Sequence, residues 1–160
     1  MKRLLLFNLA LLLCLWRQSL TCRAEEQEKI LVYTSDFLET ITFEEFDMVS
    51  QVITAEAEGE DWEAQWYIAC VILNRVESDL FPDSIEEVIF QEKQFSCIWN
   101  GRYDRSRPND SCMEALQYAL DAERIPEDIY YFTSNGYLPG TKPYIQVGDM
   151  YFSRQKEGRE

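Results

Sequence analysis

One stretch in the middle of the sequence is apolar, with no polar side to turn toward water. Residues 66–73 read WYIACVIL. Side chains leave a helix at intervals of about 100°, so every face of this segment is apolar and needs to be covered by protein. Asp61 can cap a helix of about 15 residues that Asn74 and Arg75 end. The sequence therefore predicts a central helix that is buried on all sides.

A second helix is predicted just before it, from about Thr42 to Glu58. Its apolar residues Phe46, Val49 and Ile53 recur three or four positions apart, and Glu56 continues this stripe. A carboxyl group that faces apolar surface has a raised pKa, which suits a proton donor near neutral pH. Glu56 is therefore the candidate catalytic acid. The alternative is that Glu56 only belongs to the acidic end of a helix.

The chain contains no histidine. This excludes Ser–His and Cys–His nucleophile pairs as well as the usual His-bearing zinc sites. The sequence also lacks a C-x-x-C spacing, so we predict neither a metal nor a cofactor. If the protein is an enzyme, acid–base chemistry by carboxylates is the leading candidate.

The first 24 residues have the pattern of a secretory signal peptide. A basic start, Met1-Lys2-Arg3, precedes a mainly apolar run to Trp16 and a polar stretch that ends at Ala24. The run is short for a membrane span, although an uncleaved anchor is the alternative. We therefore predict a secreted, extracytoplasmic protein with no stable membrane insertion after cleavage.

The charge of the chain is strongly negative. Four of the 15 Lys and Arg residues lie within residues 1–24, which contain none of the 29 acidic residues, so 11 basic against 29 acidic residues give the mature chain about −18. Such a chain is a poor candidate for binding nucleic acids, and anionic membranes or wall polymers would repel it.

Three cysteines remain after residue 24. Cys70 lies in the apolar helix and is predicted to be a small buried residue. Cys97 and Cys112 flank a polar segment, and export would allow them to pair. We expect a disulfide between them, with two reduced thiols as the alternative.

The remaining pattern predicts helices first and strands later. Residues 25–41 are expected to form a flexible lead-in, and residues 42–156 a single domain. A further helix is predicted from Ser84, where Ser84 and Glu87 form a capping box, and another from Asn109 or Ser111, with Ser111 and Glu114 as a second capping box. A loop over residues 94–107 is predicted between them. Strand-forming residues follow Pro126, including a hairpin around Gly148. The prediction is a small α+β domain, in which N-terminal helices are followed by a small antiparallel sheet.

Several motifs recur in register over residues 46–154, and together they resemble one family. They comprise Glu56 to Glu60, Gln65, Val71 to Val76, Phe81-Pro82, Ile85, Val88-Ile89, Gln94 to Ser96, Ala115, Ala119, Tyr130 to Phe132, and Gly148 to Phe152. This set is similar to the signature of the SleB/CwlJ-type cell-wall hydrolases, the family of spore-cortex-lytic enzymes. Many members carry a histidine in the last hairpin, where this chain has Met150.

The resemblance implies a lysozyme-like domain that cleaves the glycan strands of peptidoglycan between N-acetylmuramic acid and N-acetylglucosamine. It places the family's catalytic glutamate on Glu56 and implies lytic transglycosylase chemistry, for which a single acid/base suffices. Supporting or substrate-binding roles are expected for Glu60, Gln65, Arg75 and Tyr131. The expected setting is the cell wall or the spore cortex, and the expected state is a monomer.

Three other functions stay open at this stage. A hydrolytic muramidase would use water and a second carboxylate. A wall-peptide amidase would resemble the CwlJ branch, although the chain has no histidine for a typical zinc site. A non-catalytic module of the same fold would bind the wall without cleaving it.

Overall fold

The computed structural model describes residues 41–57 and 59–156. The predicted signal peptide, residues 25–40 of the lead-in, and Glu58 lie outside the described residues. Ile41, the last residue of the predicted lead-in, is 2% exposed and packs in the core. Within the described part of the chain, no helix is long and apolar enough to cross a membrane.

Six helices and three strands follow one another in the described residues. They are α1 (Phe43–Ala57), α2 (Trp62–Val76), α3 (Ile85–Phe90), α4 (Ser96–Trp99), α5 (Arg102–Arg105), α6 (Asp110–Asp121), β1 (Ile129–Thr133), β2 (Lys142–Val147) and β3 (Met150–Arg154). The predicted order of helices first and an antiparallel sheet afterwards is confirmed.

The central helix α2 is buried as predicted. Every residue from Tyr67 to Arg75 is buried, and α2 packs against α1, α3, α6 and β1. Burial of a large aliphatic or aromatic side chain contributes about 1.5–3 kcal/mol, so this helix is the main source of hydrophobic stabilisation. Helix α1 adds Val49, Val52 and Ile53, none of which is exposed.

Two helix starts show how side chains satisfy the first backbone N–H groups. The Ser84 hydroxyl accepts the N–H of Glu87 at the start of α3, as the predicted capping box requires. At the start of α6 the cap is Asn109, whose side chain accepts the N–H of Cys112 at 3.0 Å. The predicted second capping box at Ser111 is wrong, because Ser111 lies inside the helix and its hydroxyl bonds elsewhere.

The segment predicted as a loop over residues 94–107 contains two short helices, α4 and α5. Gly101 separates them in a left-handed conformation, with φ of 70°. Such short helices bury few residues of their own, so no apolar period marks them in the sequence.

The sheet has the strand order β1-β3-β2, with antiparallel pairs throughout. The central strand β3 contributes Phe152, which is fully buried and lies opposite Phe132 on one side and Ile145 on the other. Phe152 also stacks at 5.1 Å on Tyr67 of α2, which joins the sheet to the helices. The predicted hairpin around Gly148 is confirmed.

The predicted disulfide between Cys97 and Cys112 is wrong for the described structure, because Cys97 is a free thiol. Both residues are fully buried in the hydrophobic core. Burial, followed by the nearby Glu56 carboxylate, raises the pKa of the Cys97 thiol. The polar segment between the two cysteines favoured a disulfide in the sequence, but both side chains pack in the core as small residues.

The turn between β2 and β3 packs against the segment that joins α1 to α2. Gly148 has φ of 55°, and a Cβ atom added there would lie 2.8 Å from the Glu60 carboxylate. The N–H of Asp149 points to the same carboxylate oxygen, at 3.4 Å. A glycine is therefore required at this position for two reasons, the left-handed backbone and the close approach of Glu60.

We predict that Gly148→Ala lowers the free energy of unfolding by about 2 kcal/mol or more, because the left-handed backbone and the contact with Glu60 both oppose a side chain. Chemical denaturation would measure the change. Gly136→Ala is the matched control, since φ there is 89° but a Cβ atom meets nothing within 4 Å. Equal losses in the two variants would show that the contact with Glu60 contributes nothing.

Candidate active site

Glu56 lies in the last turn of α1, and its side chain is 8% exposed. Its carboxylate accepts the N–H of Cys97 at 2.8 Å on Oε1, and the Arg102 guanidinium at 3.0 Å on Oε2. The Ser96 hydroxyl lies 3.2 and 3.3 Å from the two oxygens. The carboxylate of Glu56 is therefore surrounded by polar groups, whereas the sequence predicted apolar surroundings.

The two oxygens of Glu56 are not equivalent. Oε1 bonds to a backbone N–H of α4, which holds it firmly as an acceptor. Oε2 faces Arg102, whose side chain is 47% exposed and can therefore leave. Oε2 is therefore the oxygen that would lose its charged partner if Arg102 moved away.

Two sections of a cleft meet at Glu56. We call the first the arginine side; it has a volume of about 680 Å³ and includes Arg102, Arg105, Ser106 and Arg107 in its lining. We call the second the amide side, with a volume of about 500 Å³. Its lining includes Gln94, Asn100, Phe132, Thr133 and Asn135. Glu56, Glu60 and Arg102 border both sections, so the buried carboxylate lies at their junction.

Glu60 also reaches the cleft, as a second carboxylate that borders both sections. Its Oε2 lies against the turn of the β2–β3 hairpin, where the N–H of Asp149 approaches it. Glu60 is therefore available to the cleft and at the same time positions the hairpin.

Gln65 is buried and does not line the cleft. Its Nε2 donates to the carbonyls of Ala57 and Glu60, at 3.2 and 3.3 Å, and its Oε1 accepts the Ser111 hydroxyl at 2.6 Å. These contacts tie the C-terminal end of α1 to α2 and α6. Gln65 thus supports the backbone next to Glu56 from outside the cleft lining, which fits a supporting role and not contact with a ligand in the cleft.

Arg75 is buried and Tyr131 lies half-buried beside it, and neither residue lines the cleft. The Arg75 guanidinium stacks on the rings of Phe81 and Phe95 at 5.0 and 5.1 Å, with Tyr131 at 5.9 Å, and its Nε donates to the Tyr130 carbonyl. Burial lowers the pKa of Arg75 to about 10. The Tyr131 hydroxyl donates to Gln155. The structure therefore gives both residues contacts that join helices to sheet.

The residues that sequence reasoning missed come from the short helices and from β1. Ser96 and Arg102 touch Glu56, although they lie 40 and 46 positions later in the chain. Phe132 and Thr133 face the amide side, next to Met150 of β3. The alternation in β1 was a usable signal for Phe132, whereas no sequence pattern pointed to Arg102.

A group of three or more His, Cys, Asp or Glu residues that could hold a metal ion is not found in the described residues.

Comparison with curated proteins finds spore cortex-lytic enzymes. The enzyme of Oceanobacillus iheyensis is 33% identical over 115 residues, which are 69% of this chain and 41% of that protein. The enzyme of Bacillus subtilis is 36% identical over 99 residues, which are 61% of this chain and 31% of that protein. The chain thus spans less than half the length of these relatives.

Comparison with solved structures finds the same fold. The catalytic domain of the germination-specific lytic transglycosylase SleB from Bacillus anthracis aligns with a TM-score of 0.63 and 23% identity, covering 71% of this chain and 97% of that domain. The SleB catalytic domain of Bacillus cereus aligns with a TM-score of 0.59 and 22% identity, covering 69% of this chain and 89% of the other.

A family model adds the decisive match. It is described as cell wall hydrolase and matches residues 59–153, from just after Glu56 to the last strand. The resemblance inferred from the motifs is thereby confirmed, and the chain belongs to the cell wall hydrolase family.

Proposed function

We propose that this protein is a secreted lytic transglycosylase that cleaves peptidoglycan glycan strands between N-acetylmuramic acid and N-acetylglucosamine. The observation that carries the proposal is the position of Glu56, a carboxylate at the junction of two cleft sections. A glycan that runs from one section to the other would place a glycosidic bond at this carboxylate. The names of the relatives, spore cortex-lytic enzymes, agree with such a substrate.

In this proposal Glu56 acts twice. Its Oε2 first donates a proton to the glycosidic oxygen as the bond from that oxygen to C1 of muramic acid breaks. The 6-hydroxyl of the same muramic acid then forms a new bond to C1 and returns its proton to Glu56. The reaction consumes no water and leaves a 1,6-anhydro end, because the nucleophile is part of the substrate.

Arg102 has to move for this reaction to begin. Its guanidinium donates to Oε2 in the described structure and so occupies a side from which a sugar would approach that oxygen. The half-exposed guanidinium can be displaced by a sugar that enters the cleft. After displacement, the Cys97 N–H and the Ser96 hydroxyl still orient the carboxyl group.

A hydrolytic muramidase is the second candidate, and Glu60 is the observation that favours it. Hydrolysis needs a second carboxylate to activate water, and Glu60 borders both cleft sections together with Glu56. The contact of Glu60 with the hairpin turn favours a positioning role instead. The two reactions leave different ends on muramic acid, a 1,6-anhydro end for the transglycosylase and a reducing end for the muramidase, and this difference decides between them.

We predict that Glu56→Gln lowers glycan cleavage by at least 100-fold, since general acid catalysis contributes roughly 10²–10⁴-fold. The free energy of unfolding should change by no more than about 1 kcal/mol, because a glutamine can still accept the Cys97 N–H and the lost ion pair is partly exposed. Release of soluble fragments from purified peptidoglycan would measure activity, and chemical denaturation would measure stability.

Glu63→Gln is the matched control for this variant. It makes the same chemical change at an exposed carboxylate in the first turn of α2, outside the cleft lining. Its activity should equal that of the wild type. If Glu56→Gln kept more than about a hundredth of the activity, Glu56 would not be the acid.

We also predict that the released muropeptides end in 1,6-anhydro-muramic acid. A transglycosylase product is lighter by one water than the hydrolysis product, and mass spectrometry resolves this difference. The anhydro product cannot be reduced by borohydride, which gives a second, independent assay. Reducible ends that disappear in Glu60→Gln would instead establish the muramidase reaction with Glu60 as its base.

A further inference from the structure

The segment that carries the three arginines of the cleft is held rigidly against α1. Gln51 of α1 donates through Nε2 to the carbonyls of Tyr103 and Ser106, at 2.7 and 3.2 Å. Ser106 in turn donates through its N–H and its hydroxyl to the Arg102 carbonyl, each at 2.9 Å. The backbone from Arg102 to Ser106 therefore offers a fixed base for side chains that project into the cleft.

Two of the three guanidinium groups have no acidic partner among the described residues. Arg102 pairs with Glu56, whereas neither Arg105 nor Arg107 has a carboxylate within 4.0 Å among the described residues. Arg105 donates to the Asn100 carbonyl at 3.4 Å, and Arg107 donates through Nη1 to the Asp104 and Ser106 carbonyls at 3.2 and 2.7 Å. Both side chains are exposed, and donors on each remain available to a ligand.

Two neighbouring arginines without an acidic partner among the described residues are unexpected in a chain with so strong a negative charge. The protein has 29 acidic and 15 basic residues, and a net charge of −14. Arg105 and Arg107 nevertheless line the same cleft section, while the amide side adds only uncharged residues to the shared Glu56, Glu60 and Arg102. A concave surface concentrates the field of its charges, so the arginine side attracts anionic groups more strongly than the amide side.

We propose that Arg105 and Arg107 bind carboxylate groups attached to the muramic acid of the substrate, and that they make the enzyme select strands that carry such groups. This inference rests on the proposed function, because it assumes that a glycan occupies the cleft. A guanidinium presents parallel N–H donors that match a carboxylate, which neutral hydroxyl or amide groups match less well.

Muramic acid offers this chemistry from two sources. Its lactyl group usually forms an amide with a short stem peptide, and that peptide carries free carboxylates. When the stem is removed, the lactyl group itself ends in a carboxylate. Both sources present the same anion at different distances from the sugar ring, so the substrate arms of an experiment can separate them.

The test combines a change in the protein with a change in the substrate. The enzymes are the wild type, the double variant Arg105→Gln/Arg107→Gln, and Arg124→Gln as a control whose arginine lies outside the two cleft sections. The substrates are native peptidoglycan and the same polymer after its carboxylates are converted to neutral amides. A third substrate, stripped of stems by an amidase, retains only the lactyl carboxylate.

On native polymer, the double variant should show a KM about five- to tenfold higher at unchanged kcat, since each exposed ion pair changes affinity only a few-fold. On amidated polymer, the wild type and the double variant should have the same KM. Arg124→Gln should follow the wild type throughout. Added salt should reduce the advantage of the wild type, because exposed charges are screened.

Binding without cleavage separates this inference from the proposed function. Cosedimentation of Glu56→Gln with insoluble native and amidated polymer measures selection even if no enzyme releases fragments. Failure of every enzyme to cleave would overturn the proposed function alone. Equal loss of affinity in the double variant on native and amidated polymer, or a wild type that binds both equally, would overturn the role of Arg105 and Arg107. The stripped polymer assigns the anion to the lactyl group if selection persists, and to the stem peptide if it disappears.

Discussion

The burial of α2 on every side is the constraint on which the rest of the structure depends. A helix in this position has no solvent-facing side for its polar residues, so each buried one has to bond to a neighbouring segment. Gln65 bonds to the backbone that follows Glu56. Asn74 donates to the carbonyls of Pro126 and Ile129, and Arg75 donates to that of Tyr130. One helix therefore supports the backbone next to Glu56 at one end and positions the first strand at the other.

The candidate site forms where the short helices α4 and α5, which no sequence pattern predicted, contact the end of α1. Glu56 extends from a helix whose other inward residues are apolar, yet its carboxylate meets the N–H of Cys97, the hydroxyl of Ser96 and the guanidinium of Arg102. A carboxylate that is 8% exposed without such donors would be costly, since charge burial requires compensation. These donors stabilise the buried carboxylate. Oε1 accepts a backbone N–H, whereas Oε2 accepts hydrogen bonds only from the side chains of Ser96 and Arg102.

The sequence predicted those parts of the fold that depend on local periodicity. The two long helices, the cap at Ser84, the hairpin around Gly148 and the inward position of Glu56 each follow from residues within one element. The disulfide, the second capping box and the single loop over residues 94–107 failed because tertiary contacts decide them. Ser111 bonds to Gln65 on another helix, and Cys97 packs in the core. Arg102 meets Glu56 across 46 positions of the chain, a pairing that no local pattern encodes.

Under the proposed function, the sign of the charges near Glu56 explains how an acidic chain acts on an anionic polymer. The charge of about −18 that remains without residues 1–24 repels such a polymer at long range, but salt screens this repulsion beyond about 8–10 Å. Within that distance the local charges dominate, and on the arginine side these include the guanidinium groups of Arg105 and Arg107, which pair with no carboxylate in the described part of the chain. The same argument applies to Arg102. A carboxylate that approaches it would compete with Glu56 for the guanidinium, so in the proposed reaction an anionic substrate group would itself free Oε2 of Glu56 from Arg102.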